Sequence, residues 1–363
     1  MVGVPVGDQD GVGNCYAFSL SRLLMANYRN HPGSGTPPTR HIPSPWEINF
    51  ALLSRDRTHL RGAGGILCDA FNYIKPRGTC DTEHYLPTLL TPNSYRQIMI
   101  EFWNYWQNRA RQSQSLSCTD HVRNIQNILS ETVQVPRNLL PSTEVIAQSL
   151  DDFFQATRTL PPELTPSDPS GPISIPVNYS SAARPFYEMM FSDACRDRQP
   201  VPRSLECELT TMSSDSHALE ELNRRLTPTG LPLSIGYCSR FLHAGNPSDA
   251  RSFLGLTNRG SAWYPRRLDE LLDTPSWRFD RVRREPDAEN CGGHESLVIG
   301  RRLVQGRCQY LIQNSWGTSC APYASAGWDC ERDEHGMETG KVWVDAMTLS
   351  RNLMTISTIR PSR

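Results

Sequence analysis

The chain has 363 residues, enough for two lobes and an inserted module, and carries 37 Lys+Arg against 38 Asp+Glu for a formal charge of -1. No field of one sign is available to hold nucleic acid or an anionic membrane, and no run approaches about 18 consecutive apolar residues, so neither is an expected partner and no bilayer span is expected. The 28 prolines and 24 glycines argue for many turns and against a coiled coil or helical solenoid.

The chain starts Met1-Val2-Gly3-Val4-Pro5 without a basic-then-apolar leader, so any export signal is expected to lie outside it. Asp8 to Asn14 reads as a glycine-punctuated loop. Cys15–Arg29 reads as a helix, because Leu20, Leu23, Leu24 and Tyr28 share one face of a 3.6-residue period. Pro45-Trp46-Glu47 opens a short helix toward Leu53, with proline in its first turn. Another helix runs from about Leu67 to Ile74 and stops at Lys75-Pro76. Asn93 to Gln112 is strongly helical, with Tyr95, Ile98, Met99, Phe102 and Trp106 in one stripe. Val122, Ile125 and Leu129 give a second helix here. Val145, Ile146, Leu150, Phe153 and Phe154 give a third, capped by Ser142 or Thr143.

Residues 161–185 hold seven prolines and read as a connector. An amphipathic helix follows at about Asp215–Leu226, and Gly230 lies beyond its end. From Pro232 the texture changes: Leu233–Tyr237, Ser296–Ile299, Tyr310–Ile312 and Val342–Val344 read as strands. A charged insertion at 245–290 interrupts them. The expected class is α+β: a helical lobe over 1–90, a helical and proline-rich insertion over 91–210, and a β-rich lobe over 211–363.

Eleven cysteines, at 15, 68, 80, 118, 195, 207, 238, 291, 308, 320 and 330, include no C-x-x-C pair. In an exported protein an odd count reads as ten paired cysteines and one free thiol; eleven reduced thiols in a cytosolic chain is the alternative. Disulfides and an extracellular, periplasmic or lysosome-like compartment are the expectation. The local pairs are Cys68–Cys80, Cys195–Cys207 and Cys320–Cys330. Cys320, Cys330 and His335 lack a fourth ligand, so no metal and no cofactor are expected.

Three local patterns carry chemistry. In Gln9-Asp10-Gly11-Val12-Gly13-Asn14-Cys15-Tyr16-Ala17-Phe18-Ser19, a cysteine opens a helix, where unpaired N–H groups and the positive helix end favour thiolate. Gln9 can donate its amide to a developing oxyanion, with the Cys15 N–H as second donor. Alone, Cys15 reads equally well as a small buried residue. In Gly292-Gly293-His294-Glu295-Ser296, a histidine opens an apolar strand. In Gln313-Asn314-Ser315-Trp316-Gly317, an asparagine carbonyl can accept the Nδ1–H of an imidazole while Trp316 covers the bond.

Together these segments resemble the papain-like cysteine peptidases, whose order of glutamine, cysteine, histidine and asparagine is present here. Ser44-Pro45-Trp46-Glu47, the pair Gly64-Gly65, Tyr85-Leu86-Pro87, Leu231–Ile235 and Gly340–Val344 resemble further landmarks of that family. The resemblance covers about 1–90 and 215–350. It implies a two-lobe fold with a cleft between a helical and a barrel-like lobe. Cys15 would be the nucleophile, Gln9 the oxyanion donor, His294 the acid–base and Asn314 its orienting partner. Gly64, Gly65, Glu295 and Trp316 would border the substrate. The partners implied are a peptide or protein substrate and a propeptide or protein inhibitor, with the chain as a monomer.

There are departures. Tyr16 stands where tryptophan is common, and Val12 and Gly62 occupy the two positions of a usual disulfide. Two rival functions remain open: a papain-fold binding or inhibitory protein with a blocked cleft, and an amidase or deamidase acting on side-chain or cell-wall amides. Glu295 has two readings as well. Its carboxylate either faces the pocket for the second acyl-side residue, favouring a cationic substrate group, or turns outward to Arg301 or Arg302.

Overall fold

Strands and helices segregate along the chain in a computed structural model that describes residues 15–30, 41–53, 67–80, 92–110, 117–132, 140–157, 189, 195, 198–226, 230–238, 242, 293–321, 323 and 328–362. Its class is α+β. The helices are α1 (Cys15–Asn30), α2 (Pro45–Leu53), α3 (Leu67–Ile74), α4 (Pro92–Ala110), α5 (Cys118–Asn127), α6 (Thr143–Thr157), α7 (Asp215–Arg225) and α8 (Ala346–Ser350). The strands are β1 (Leu205–Thr211), β2 (Leu233–Cys238), β3 (Gly293–Val304), β4 (Arg307–Gln313), β5 (Asp329–Arg332), β6 (Glu338–Asp345) and β7 (Leu353–Pro361). They form an antiparallel sheet in the order β1-β7-β2-β3-β4-β6-β5.

The β3–β4 hairpin is closed by Gln305 and Gly306, both with positive φ, which matches the right-handed twist of the strands it joins. Strand β6 alternates inward Gly340, Val342 and Val344 with outward neighbours, so one face meets the core. That core gathers Ile235, Tyr237, Val298, Tyr310 and Ile312 with Leu222 of α7 and Leu349 of α8. A second cluster packs α1, α2 and α3 through Leu20, Leu24, Phe71 and Ile74, and takes in Leu297 and Ile359 of the sheet. Helix α1 is buried from Cys15 to Tyr28, which holds the helix against β3 and fixes its N-terminus in space.

Three strands escape a sequence reading. The central part of β7, Ile356 to Ile359, is buried residue by residue, so it shows no alternation of polar and apolar positions. Strand β1 lies within residues 91–210 except for its last residue, and pairs with β7 from Leu205↔Pro361 to Thr211↔Thr355. Strand β5 is four residues long and mostly polar.

Helices α4, α5 and α6 pack on one another. Phe102 and Phe153 meet edge to face at 5.3 Å, and buried Trp106 completes the aromatic stripe as core packing. Ser142 accepts the Val145 N–H and caps α6. The insertion at 245–290 lies outside the described residues.

The cysteine pairing differs from the sequence expectation. Cys68 bonds Cys207 and Cys80 bonds Cys195, while Cys320–Cys330 is the expected local bridge. Strand β1 lies against α3, so Cys68 finds a partner 139 residues away and not its neighbour Cys80. Cys15, Cys118 and Cys308 are free thiols, which overturns the expectation of a single one. The Cys320–Cys330 bridge also consumes the thiols a metal would need. No helix among the described residues is long and apolar enough to cross a membrane.

Candidate active site

Helix α1 brings Cys15 to the start of β3. The Cys15 Sγ accepts a hydrogen bond of 3.3 Å from the backbone N–H of Glu295, across 280 residues of sequence. The next residue back, His294, is 5 % exposed, as is Cys15. His294 Nε2 lies 2.6 Å from Asn314 Oδ1 at the end of β4. The nitrogen held by Asn314 is therefore Nε2, not the Nδ1 expected from the sequence. An asparagine carbonyl can only accept, so Nε2 carries the proton and Nδ1 is the basic nitrogen of the neutral ring.

Asn314 is itself tightly held. Its Oδ1 also accepts the Ser296 hydroxyl at 2.9 Å and the Ser315 N–H at 2.8 Å, and its Nδ2 donates to the Tyr323 hydroxyl at 3.1 Å. Tyr237 Oη and Ser296 Oγ are 2.6 Å apart. With the Ser296 proton committed to Asn314, Tyr237 is the donor. Aromatic rings enclose the imidazole: Trp316 at 4.9 Å, and Tyr237 edge-on at 5.5 Å. Trp316 stacks in turn on Tyr323 at 5.7 Å. The arrangement keeps water from the histidine–asparagine bond and fixes the plane of the ring.

The chemistry at sulfur differs from expectation. Burial, reinforced by the carboxyl of Glu295, pushes the Cys15 thiol up to about 12. The N–H groups of Glu295, Tyr16 and Cys15 pull the other way, as a helix N-terminus should, but desolvation outweighs them. The resting group is a thiol, and its proton must leave as the nucleophile attacks.

Glu295 does not turn out to Arg301 or Arg302. Its Oε2 accepts the Ser234 hydroxyl at 3.2 Å, and Arg302 instead bonds Gln309 and Asp329. Burial raises the Glu295 carboxyl to about 7, against the pull of Ser234 and the Leu67 N–H. Gln9, Gly64 and Gly65 lie outside the described residues.

The structure thus brings together Cys15, His294, Glu295, Asn314 and Trp316. It adds Ser296, Tyr237 and Tyr323, which sequence reading missed. The signal for Ser296 was present: as residue i+2 to His294 on one strand it shares the histidine's face. Tyr237 follows from register, since it pairs with His294 across β2 and β3. No protein-family model and no curated protein matches the chain.

Proposed function

We propose that the chain is a cysteine peptidase of the papain-like type, with a two-lobe fold and a disulfide-stabilised, exported life. The observation that carries this reading is the convergence of Cys15, His294 and Asn314. A helix-opening thiol touches the amide that follows a histidine, and that histidine is held by an asparagine carbonyl in an aromatic enclosure. The three bridges Cys68–Cys207, Cys80–Cys195 and Cys320–Cys330 support an oxidising compartment.

In the proposed reaction, Cys15 Sγ attacks a peptide carbonyl carbon as its proton passes to Nδ1 of His294. The imidazolium that forms is stabilised by Asn314 through Nε2 and by the neighbouring rings. The carbonyl oxygen becomes an oxyanion, for which Gln9 and the Cys15 N–H are the proposed donors. His294 then protonates the leaving amine; water, giving a proton to His294, attacks the thioester carbonyl, and the expelled Cys15 Sγ takes that proton back as the acid product leaves. Glu295 is proposed to border the second acyl-side pocket, favouring a cationic group there once its carboxyl is ionised. Digestion of a peptide library by wild type and Cys15→Ala tests the reading. Cleavage by wild type alone supports it, and a library left intact by both refutes it.

A further inference from the structure

The face of α1 that carries Cys15 continues inward as a polar stripe. Ser19 and Arg22 follow Cys15 at offsets of 4 and 7, which places all three on one side of the helix. That side meets the start of β3 and the end of β4. A small cavity lies there, bordered by Ser19, Arg22, Glu295, Gln313, Asn314 and Ser315, with room for about one water-sized occupant.

Arg22 is the unusual member. The residue is 9 % exposed, and its guanidinium makes no hydrogen bond or ion pair among the described residues. A guanidinium buried without a counter-charge is expensive, because it gives up hydration and gains no Coulomb energy. Burial and the nearby Arg29 lower its proton affinity to about 10, with no acid acting in the opposite direction. The one carboxyl bordering the cavity, Glu295, is engaged by Ser234 and the Leu67 N–H. Ser19 is likewise buried, and its hydroxyl has no partner among the described residues.

We propose that this cavity is a halide site, occupied by chloride bound to the Arg22 guanidinium and the Ser19 hydroxyl. The chemistry asks for a single negative charge that accepts several N–H and O–H donors. A monatomic anion suits a space of this size better than sulfate, phosphate or a carboxylate ligand does. The ion would stitch α1, which bears the thiol, to the strand end that bears Asn314. The site stands whether or not the chain is a peptidase, and its tests do not use turnover.

Two measurements decide it. The first is thermal unfolding of the wild-type chain in chloride against gluconate at equal ionic strength. Chloride should raise the melting temperature by roughly 2 °C for each tenfold increase above its dissociation constant. Arg22→Met keeps the aliphatic stem and removes the charge. It should be at least as stable as wild type without chloride, and should lose the chloride response. The second is a crystal soaked in bromide, in which an anomalous peak should sit against the Arg22 guanidinium. Equal melting curves in chloride and gluconate, a chloride response that survives in Arg22→Met, or a stronger response to acetate or sulfate would each overturn the halide assignment. So would a bromide-soaked crystal with no anomalous peak in the cavity, a result that does not depend on the variant folding.

Discussion

Replacing Glu295 by glutamine removes an ionisation that the fold resists. In the native chain burial raises this carboxyl from its ordinary 4.5 to about 7. The native state therefore holds the proton more tightly than the unfolded chain does, and the sign of the linkage is the reverse of a salt-bridged acid. Below about pH 4.5 both states are protonated and the group costs nothing. As pH rises from 4.5 through 7 the unfolded chain ionises first, and stability falls until both states are ionised. At about 1.4 kcal/mol per tenfold change in proton affinity, the full loss is about 3 kcal/mol at most, since the residue retains some exposure to water. Glutamine keeps an acceptor for Ser234 and the Leu67 N–H without the charge. Denaturant unfolding of both proteins from pH 4.5 to 8.5 measures the difference. The two stabilities should meet within a few tenths of a kcal/mol of their isosteric offset at the acid end. They should then diverge, with Glu295→Gln increasingly the more stable up to pH 8. Parallel curves across that range would refute the buried-carboxyl argument.

Glu295→Gln should also speed alkylation of Cys15 at neutral pH, because the carboxyl is one of the groups that push the thiol up to about 12; His294→Ala should slow it, and rates equal to wild type in both would separate the thiol from its proposed neighbours. Asn314→Ala removes one hydrogen-bond partner from each of His294, Ser296 and Tyr323, a loss of about 1–3 kcal/mol, so kcat for peptide hydrolysis should fall roughly tenfold to a hundredfold with KM little changed. The Cys80–Cys195 bridge is nested within Cys68–Cys207, so with it intact the outer bridge closes a further 24 residues (139 less 115) and is worth about 3.5 kcal/mol of chain entropy, against about 2.7 kcal/mol for Cys320–Cys330 across 10 residues. Unfolding of Cys207→Ser and Cys330→Ser should rank in that order, and non-reducing peptide mapping should recover both bridges.

The helices were legible in the sequence where one face is apolar and the other is not. Leu20, Leu23, Leu24 and Tyr28 announce α1, and Ile98, Phe102 and Trp106 announce α4 within two residues at either end. Strands buried on both faces were not legible. Ser357 and Thr358 are as enclosed in β7 as Ile356 and Ile359, so composition there carries no period. Cys15, His294 and Asn314 stood out because short motifs surround them. The residues that hold them did not. Ser296 and Tyr237 matter through strand register, and Tyr323 through a turn that lies just beyond the asparagine motif but outside its pattern. The disulfides erred for the same reason: Cys68 and Cys80 are near in sequence, but α3 faces β1 in space. The thiol is the instructive error. The helix N-terminus supplies the N–H groups the sequence promised, yet their pull is smaller than the cost of burial, and burial is a property of the folded chain alone.

The most direct test of the central claim is the kcat/KM of the best-cleaved library peptide, measured for wild type and Cys15→Ala under the same conditions. Covalent catalysis through Cys15 predicts a loss of at least about a thousandfold in the variant, as removal of a nucleophile requires. Turnover by Cys15→Ala within tenfold of wild type would contradict it.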